Sequence, residues 1–419
     1  MHRWAVIFLL AAAVSAPADA QTSSGLRVDE HPAELVVTGG QGKAPAMHAV
    51  EPRVPGAANP HGDVSVPQVG GDVAEEPSEI PSRELLRTMV QPTGGTGIVP
   101  PSSRPDTVGA FRFICQPGQV SYDDPIVFPG QPGKSHLHQW FGNTTGDAYS
   151  TYETLRSRGS STCMNTANRS AYWMPAMLDG RGHVVRPDYV TIYYKRHPAS
   201  SPDCLRMAPR GCTGIPRGLR MIFGYDMITH RPSAAGGYFN CDGPGAKSAH
   251  YRTIAEAAQN CPAGARLGAI INAPDCWDGQ RLDSPNHRDH MATASYGSQG
   301  SPRCPSTHPY VIPAFTMGAW YTVDDDGAAS WYLSSDDMPG MGRMTAGSTF
   351  HADWFGAWDD KVMKLWTDNC IDKMLNCSGG DLGNGQQLVQ QGPFEWKTSR
   401  RLVAIPGRGR TVAQTAEHH

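Results

Sequence analysis

Three short stretches of the chain concentrate side chains able to carry chemistry. The first is Ser135-His136-Leu137-His138, where two imidazoles stand two residues apart. On an extended backbone that spacing sends both rings to one face, within reach of one metal ion or one substrate. One ring can then act as a base while its neighbour holds a hydroxyl or carboxylate. The second runs from Asp283 through Pro285, His287 and His290 to Met291. If Pro285 opens a helical turn, Asp283 lies four residues before His287, and His287 three before His290, so a carboxylate supports two imidazoles on one face. Asp283 would then orient a His287 or His290 that serves as acid or base, with a metal site and a purely structural hydrogen-bond knot as the alternatives. The segment lacks the glutamate of His-Glu-x-x-His, which excludes a zincin. The third is His351-Ala352-Asp353, again spaced by two. Joined to His136 and His138 it would give three imidazoles and a carboxylate, a donor set that suits zinc or another transition metal.

Aromatic and polar residues flank these groups. Tyr172, Trp173, Tyr194 and Trp277 are candidates to stack on sugar rings, Arg169 and Lys195 to hold a carboxylate, and Asn143 and His308 to complete a substrate site. The alternative for each aromatic is a place in the core of a sheet.

The elements that must position them read as mainly β. Tyr189–Lys195, Gly218–Gly224, Val311–Val323 and Ser330–Leu333 are rich in β-branched or aromatic residues. Helical spacing is confined to Thr253–Gln259 and Asp360–Leu375, with a short helix after Ser82 that can dock its apolar residues on the main domain. The 46 glycines and 35 prolines, against 18% charged residues, point to long loops and away from a helical bundle. The expectation is one β-sandwich or jelly-roll-like domain over 107–400, preceded by a low-complexity, largely disordered leader over 21–106 and followed by a flexible tail over 401–419.

Residues 1–20 read as a secretory signal peptide: His2-Arg3, an apolar run from Ala5 to Ala16, and small residues before Gln21. That run is well short of the roughly 20 residues that span a bilayer. Ten cysteines, an even number with no Cys-x-x-Cys pair, fit an oxidising compartment rather than a zinc ribbon or redox motif. Short loops favour pairing Cys204 with Cys212 and Cys370 with Cys377, and neighbour pairing would also join Cys115 to Cys163, Cys241 to Cys261 and Cys276 to Cys304. A formal net charge of −3 gives no electrostatic footprint for nucleic acid or an anionic membrane.

Several ordered motifs resemble a known family. Cys115-Gln116-Pro117-Gly118, Asp123-Asp124-Pro125, Ser135–His138, Phe141-Gly142-Asn143, Ser170–Trp173, Tyr193–Lys195, Cys276–Gly279, Leu282–Ser284, His287–Met291 and Cys304–Pro309 are similar to the domain-of-unknown-function nineteen-ninety-six family, over a span from Phe111 to Cys370. The resemblance implies a secreted protein, with relatives sometimes joined to cysteine-rich, glycan-binding WSC modules. By association it favours an extracellular polysaccharide as partner.

These readings favour a secreted hydrolase or lyase acting on polysaccharide by acid–base catalysis, with His136, His138, Asp283, His287 and His290 as its catalytic residues. A lyase would neutralise a uronate with Arg169 or Lys195, and a hydrolase would draw two carboxylates from Asp283 and Asp353. No cofactor is required by this reading, although a transition metal fits His136, His138, His351 and Asp353. The alternatives are a metal-dependent extracellular enzyme, redox chemistry included, and a non-catalytic glycan-binding or envelope protein.

Overall fold

The computed structural model describes residues 76–93 and 108–408, apart from position 83 and the stretches 233–235, 297–301, 341, 393 and 395–400. The expected signal peptide, most of the leader and the end of the tail lie outside the described residues. Eleven strands build two large sheets: β1 (Gly109–Cys115), β2 (Val120–Ser121), β3 (His138–Gly142), β4 (Ala171–Pro175), β5 (Tyr189–Arg196), β6 (Arg220–Gly224), β7 (Tyr238–Asp242), β8 (Arg266–Asn272), β9 (Ala314–Thr322), β10 (His351–Phe355) and β11 (Asn376–Cys377). One sheet has the order β7-β8-β9-β5-β1-β11, the other β2-β3-β4-β10-β6. Every pairing is antiparallel except that of β1 with β11. Neither sheet closes into a barrel, so the fold is mainly β, as the sequence predicts.

Alternation explains why the two sheets meet. In β5, Val190, Ile192 and Tyr194 are fully buried while the residues between them turn outward. The inward set packs against Tyr172, Met174, Phe223 and Trp354 of the second sheet. Phe315 of β9 lies at the centre, its ring 6.0 Å from Tyr172, 5.7 Å from Phe223 and 5.1 Å from Trp354. The hydroxyls of Tyr172 and Tyr194 meet across the interface at 2.6 Å, and the indole N–H of Trp358 donates to Tyr194, so the polar ends of these buried rings are paired.

The opposite face of the second sheet carries a smaller apolar cluster of Trp140, Trp173, Ile222 and Phe355, covered by Ile126, Tyr152 and Leu155 from loops and a short helix. Trp140 and Trp173 stack at 4.6 Å. This second face, roofed by loops, positions the candidate site.

All five cysteine pairs considered above form: Cys115–Cys163, Cys204–Cys212, Cys241–Cys261, Cys276–Cys304 and Cys370–Cys377. The helix expected over Asp360–Leu375 holds its α form only from Asp360 to Trp366, with Asp359 as N-cap, and continues as a wider turn over Thr367–Ile371. Ile254–Ala258 forms with Thr253 as its N-cap. After Ser82 the helix is a single turn, Leu86–Met89. Ser82 does not cap it. Its hydroxyl bonds instead to Asp359, which also pairs with the buried Arg156. The same guanidinium donates to the Ile80 carbonyl at 3.1 Å, and Glu84 pairs with Arg169 at 2.9 Å. Residues 76–93 are thereby fastened to the domain, with Met89 in the main core.

Candidate metal centre

Strand periodicity brings the first and third histidine groups together. Trp173 of β4 is registered with Trp140 of β3 on one side and Asp353 of β10 on the other, and Asp353 with Ile222 of β6. Residues two away on the same strands share that face, so His138, His351 and Asp353 all emerge beside the Trp140–Trp173 stack. His136 lies just before β3 and projects to the same side. Ring centroids are 4.2 Å apart for His136 and His138, 5.0 Å for His136 and His351, and 6.3 Å for His138 and His351. One nitrogen from each ring lies within 4.8 Å of the others.

Main-chain carbonyls fix how two of these rings are presented. Nδ1–H of His138 donates to the Asp123 carbonyl at 3.1 Å, and Nδ1–H of His351 to the Thr349 carbonyl at 2.8 Å. A carbonyl only accepts, so each ring keeps its lone pair on Nε2, the arrangement seen around metal-ligating histidines. The Nε2 atoms of His136 and His138 are buried without a hydrogen-bond partner, as is Oδ2 of Asp353. Buried polar atoms are rarely left so, because each costs about 1–3 kcal/mol. Burial, reinforced by neighbouring positive charge, holds His136 well below the ordinary imidazole range and His138 at about 3. Burial likewise takes His351 to about 4. All three are neutral at physiological pH, the form that binds a metal.

Two carboxylates form a second group that shares His138 with the first. Oxygens of Asp124 and Asp353 and a nitrogen of His138 lie within 4.8 Å of one another. Asp124 closes the turn its sequence suggests: its Oδ1 accepts from the amides of Ile126 and Val127 at 2.9 Å each. It also faces the site, a role hidden in the sequence because Asp-Asp-Pro reads as turn chemistry. Burial and then the adjacent Asp124 charge push the Asp353 carboxyl well above its usual range, with Arg288 opposing. Burial also raises Asp124, against the two amides and the charge of His287.

The second histidine group borders this cluster. Residues 283–290 form turns in place of a helix, yet Nδ1 of His287 still lies 2.9 and 3.1 Å from the Asp283 oxygens. Arg220 holds the same carboxylate at 2.8 Å. Burial alone would raise Asp283, but the His287 hydrogen bond and the His287 and Arg220 charges outweigh it and leave it below the usual range. The Ile222 amide donates to the His287 carbonyl at 3.2 Å, which seats His287 against β6, and its backbone is held at φ +57°. His290 is occupied otherwise. Its Nε2–H donates to the Arg220 carbonyl at 2.7 Å, and Nδ1 faces the Ser284 hydroxyl at 3.0 Å.

The family described as Domain of unknown function (DUF1996) matches residues 124–358, more than half of the chain. The chain belongs to this family. No curated protein and no solved structure matches it. The DUF1996 span begins at Asp124 and includes His136, His138, Asp283, His287, His290, His351 and Asp353, so the whole cluster lies in the shared domain; the fastened segment 76–93 and strands β1, β2 and β11 lie outside it.

Within the DUF1996 domain the remaining candidates do other work. Tyr172 and Tyr194 are core residues between the sheets. Trp173 is buried beside Asp353 under the Trp140 ring. Asn143 is buried, donating to the carbonyls of Leu155 and Arg158 while accepting from Thr145. Arg169 pairs with Glu84. The Trp277 indole donates to the Arg281 carbonyl at 2.7 Å, and His308 lies 3.1 Å from the Asp289 carbonyl and 2.9 Å from the Thr307 hydroxyl. Lys195 points outward from β5.

Proposed function

We propose that this chain is an exported, metal-dependent enzyme in which His136, His138 and His351 hold one divalent transition-metal ion, with Asp353 beside His138 as an outer carboxylate. One observation carries the reading: imidazoles from two separated strands and a loop converge with one nitrogen each mutually within ligand range, those of His136 and His138 buried and unpartnered. Nitrogen-rich donor sets of this kind favour zinc or copper over calcium or magnesium. A bound ion of this type polarises a substrate oxygen or lowers the pKa of a bound water. Around it, Asp124 and the Asp283–His287 pair offer acceptors for a proton. The reaction class assigned is hydrolysis or elimination on an extracellular polysaccharide. Support for export comes from the N-terminal pattern and from five disulfides with no free cysteine among the described residues. Among the same residues no helix is long and apolar enough to cross a membrane. Assay of the purified protein on neutral and uronate polysaccharides, with and without chelator, tests the proposal. Metal-restored cleavage is expected, and activity indifferent to chelation would contradict it.

One observation favours a second reading. The Asp124 and Asp353 oxygens lie within 4.8 Å of one another, no farther apart than the two carboxyl groups of retaining glycosidases, roughly 5–5.5 Å. In that case cleavage survives chelation and His351→Ala but is lost in both Asp124→Asn and Asp353→Asn.

A further inference from the structure

We infer that the metal centre is edged by an anion-recognition site in which Arg408, with Lys134 beside it, takes a carboxylate or sulfate group of an acidic polysaccharide. This substrate class rests on the enzyme reading above and narrows it. Of the three imidazole residues, His138 and His351 are fully buried and His136 is half-buried, so the His136 side is the open one. Arg408 lies on that side. Its Nη1 donates to the carbonyls of Gly133 and Ser135 at 3.3 and 3.4 Å, and its guanidinium stands 5.2 Å from the centre of the Tyr122 ring. Ser135 immediately precedes His136, and the exposed Lys134 sits between the two carbonyl-bearing residues in the chain.

Strand pairing delivers this arginine. Leu402–Ala404 runs antiparallel to His183–Val185, with Leu402 opposite Val185 and Ala404 opposite His183. The Arg401 side chain donates to the Thr322 carbonyl at 2.8 Å and pairs with Asp324. Val403 packs against the small apolar cluster that contains Leu137, the residue between His136 and His138. Pro406 is buried, so Arg408 follows two residues after an anchored position while its own side chain stays exposed.

The occupant follows from the charges. Nε and Nη2 of Arg408 have no hydrogen bond among the described residues, and neither Arg408 nor Lys134 meets a carboxylate there. Other arginines near the centre are engaged: Arg288 donates to the Gly224 and Tyr225 carbonyls and lies 3.9 Å from Asp226, and Arg220 holds Asp283. The charge of Arg408 reaches His136, adding to burial, His138 and His351 in holding that imidazole low. Asp124 and Asp353 group with His138 and not with His136. A divalent ion on three neutral imidazoles adds positive charge to this edge, and a ligand that answers both the ion and the guanidinium is an anion. Arg169 and Lys195, expected from the sequence to hold a uronate, stand elsewhere, Arg169 with Glu84 and Lys195 on the outward side of β5. A formal net charge of −3 gives no bulk attraction for a polyanion, so binding must come from local cations.

Affinity electrophoresis of the full-length secreted protein tests this, in gels containing polygalacturonate, its methyl ester, dextran sulfate or neutral dextran, run with chelator and then with zinc. Retardation is expected from an anionic polymer and from neither neutral one. Polygalacturonate alone would identify a carboxylate, and dextran sulfate alone a sulfate. Arg408→Gln should weaken the apparent affinity about tenfold and Arg408→Lys by less, with metal content unchanged. Binding is read in chelator as well as in zinc, so it is scored separately from metal-dependent cleavage. No retardation by either anionic polymer, equal retardation by their neutral counterparts, or retardation indifferent to both Arg408→Gln and Lys134→Gln overturns the inference. So does loss of bound metal in Arg408→Gln, because the arginine would then be a prop for His136.

Discussion

His138 and His351 stand on strands separated by a third, yet their rings lean to within 6.3 Å over it, each with Nδ1–H tied to a main-chain carbonyl. The two carbonyls, from Asp123 and Thr349, hold both unprotonated nitrogens toward the same space. Replacing either histidine by alanine should therefore abolish stoichiometric zinc or copper binding, measured by calorimetric titration after chelator treatment. The loss should exceed the roughly 10–100-fold that removal of an outer partner costs. Retention of full affinity in both variants would contradict the ligand assignment.

The buried imidazoles also predict how the metal-free protein responds to acid. His351 takes up a proton near 6.5 when unfolded but at about 4 when folded. Between those values the unfolded chain binds the proton and the folded chain does not, so stability is fully present above 6.5 and falls as pH drops toward 4. His351 alone contributes on the order of 3 kcal/mol to that loss. Thermal unfolding in chelator from pH 7 to pH 4 should show a falling melting temperature, with a shallower fall in His351→Gln. Equal slopes in the two proteins would count against burial as the cause.

Asp353 has the opposite sign. Its raised carboxyl means that the unfolded chain loses its proton first, so the group destabilises the metal-free fold as pH rises above about 4. Asp353→Asn should raise the metal-free melting temperature at neutral pH, while lowering metal affinity. A variant less stable than wild type without metal would show that the carboxylate is paired in a way not described above.

Arg156 is predicted to matter for a different reason. It is 1% exposed and ties Asp359, Ser82 and the Ile80 carbonyl together. Arg156→Ala leaves Asp359 buried without its cation, which should cost about 3–5 kcal/mol. It should also speed proteolysis within 76–93, followed by mass spectrometry. Unchanged cleavage there would mean that Met89 and the strand pairing of 90–92 with 386–388 suffice to hold the segment.

Much of this was legible in the sequence because it depends on period two. His136 with His138, and His351 with Asp353, share faces as their spacing requires, and strands such as Tyr189–Arg196 follow from β-branched and aromatic composition. The convergence of the two pairs was only conditional, because it depends on the placement of β4 between β3 and β10, a long-range choice that no local pattern encodes. The place of Asp124 in the site is not legible for a related reason: its turn-closing hydrogen bonds and its place beside Asp353 coexist, and only the first has a sequence signature. Tyr172 and Tyr194 were ambiguous between sugar stacking and core, and which face of its strand each occupies decides for the core. His290 looked equivalent to His287 by spacing, but both its nitrogens are consumed by Arg220 and Ser284.

The most direct test of the metal centre is elemental analysis of the secreted protein, purified without chelator or added metal and compared with the His136→Ala, His138→Ala, His351→Ala triple variant. The account predicts close to one zinc or copper ion per wild-type chain and none in the triple variant at unchanged fold. A wild-type protein that carries no stoichiometric transition metal, and takes none up from a zinc or copper solution after chelator treatment, would contradict it.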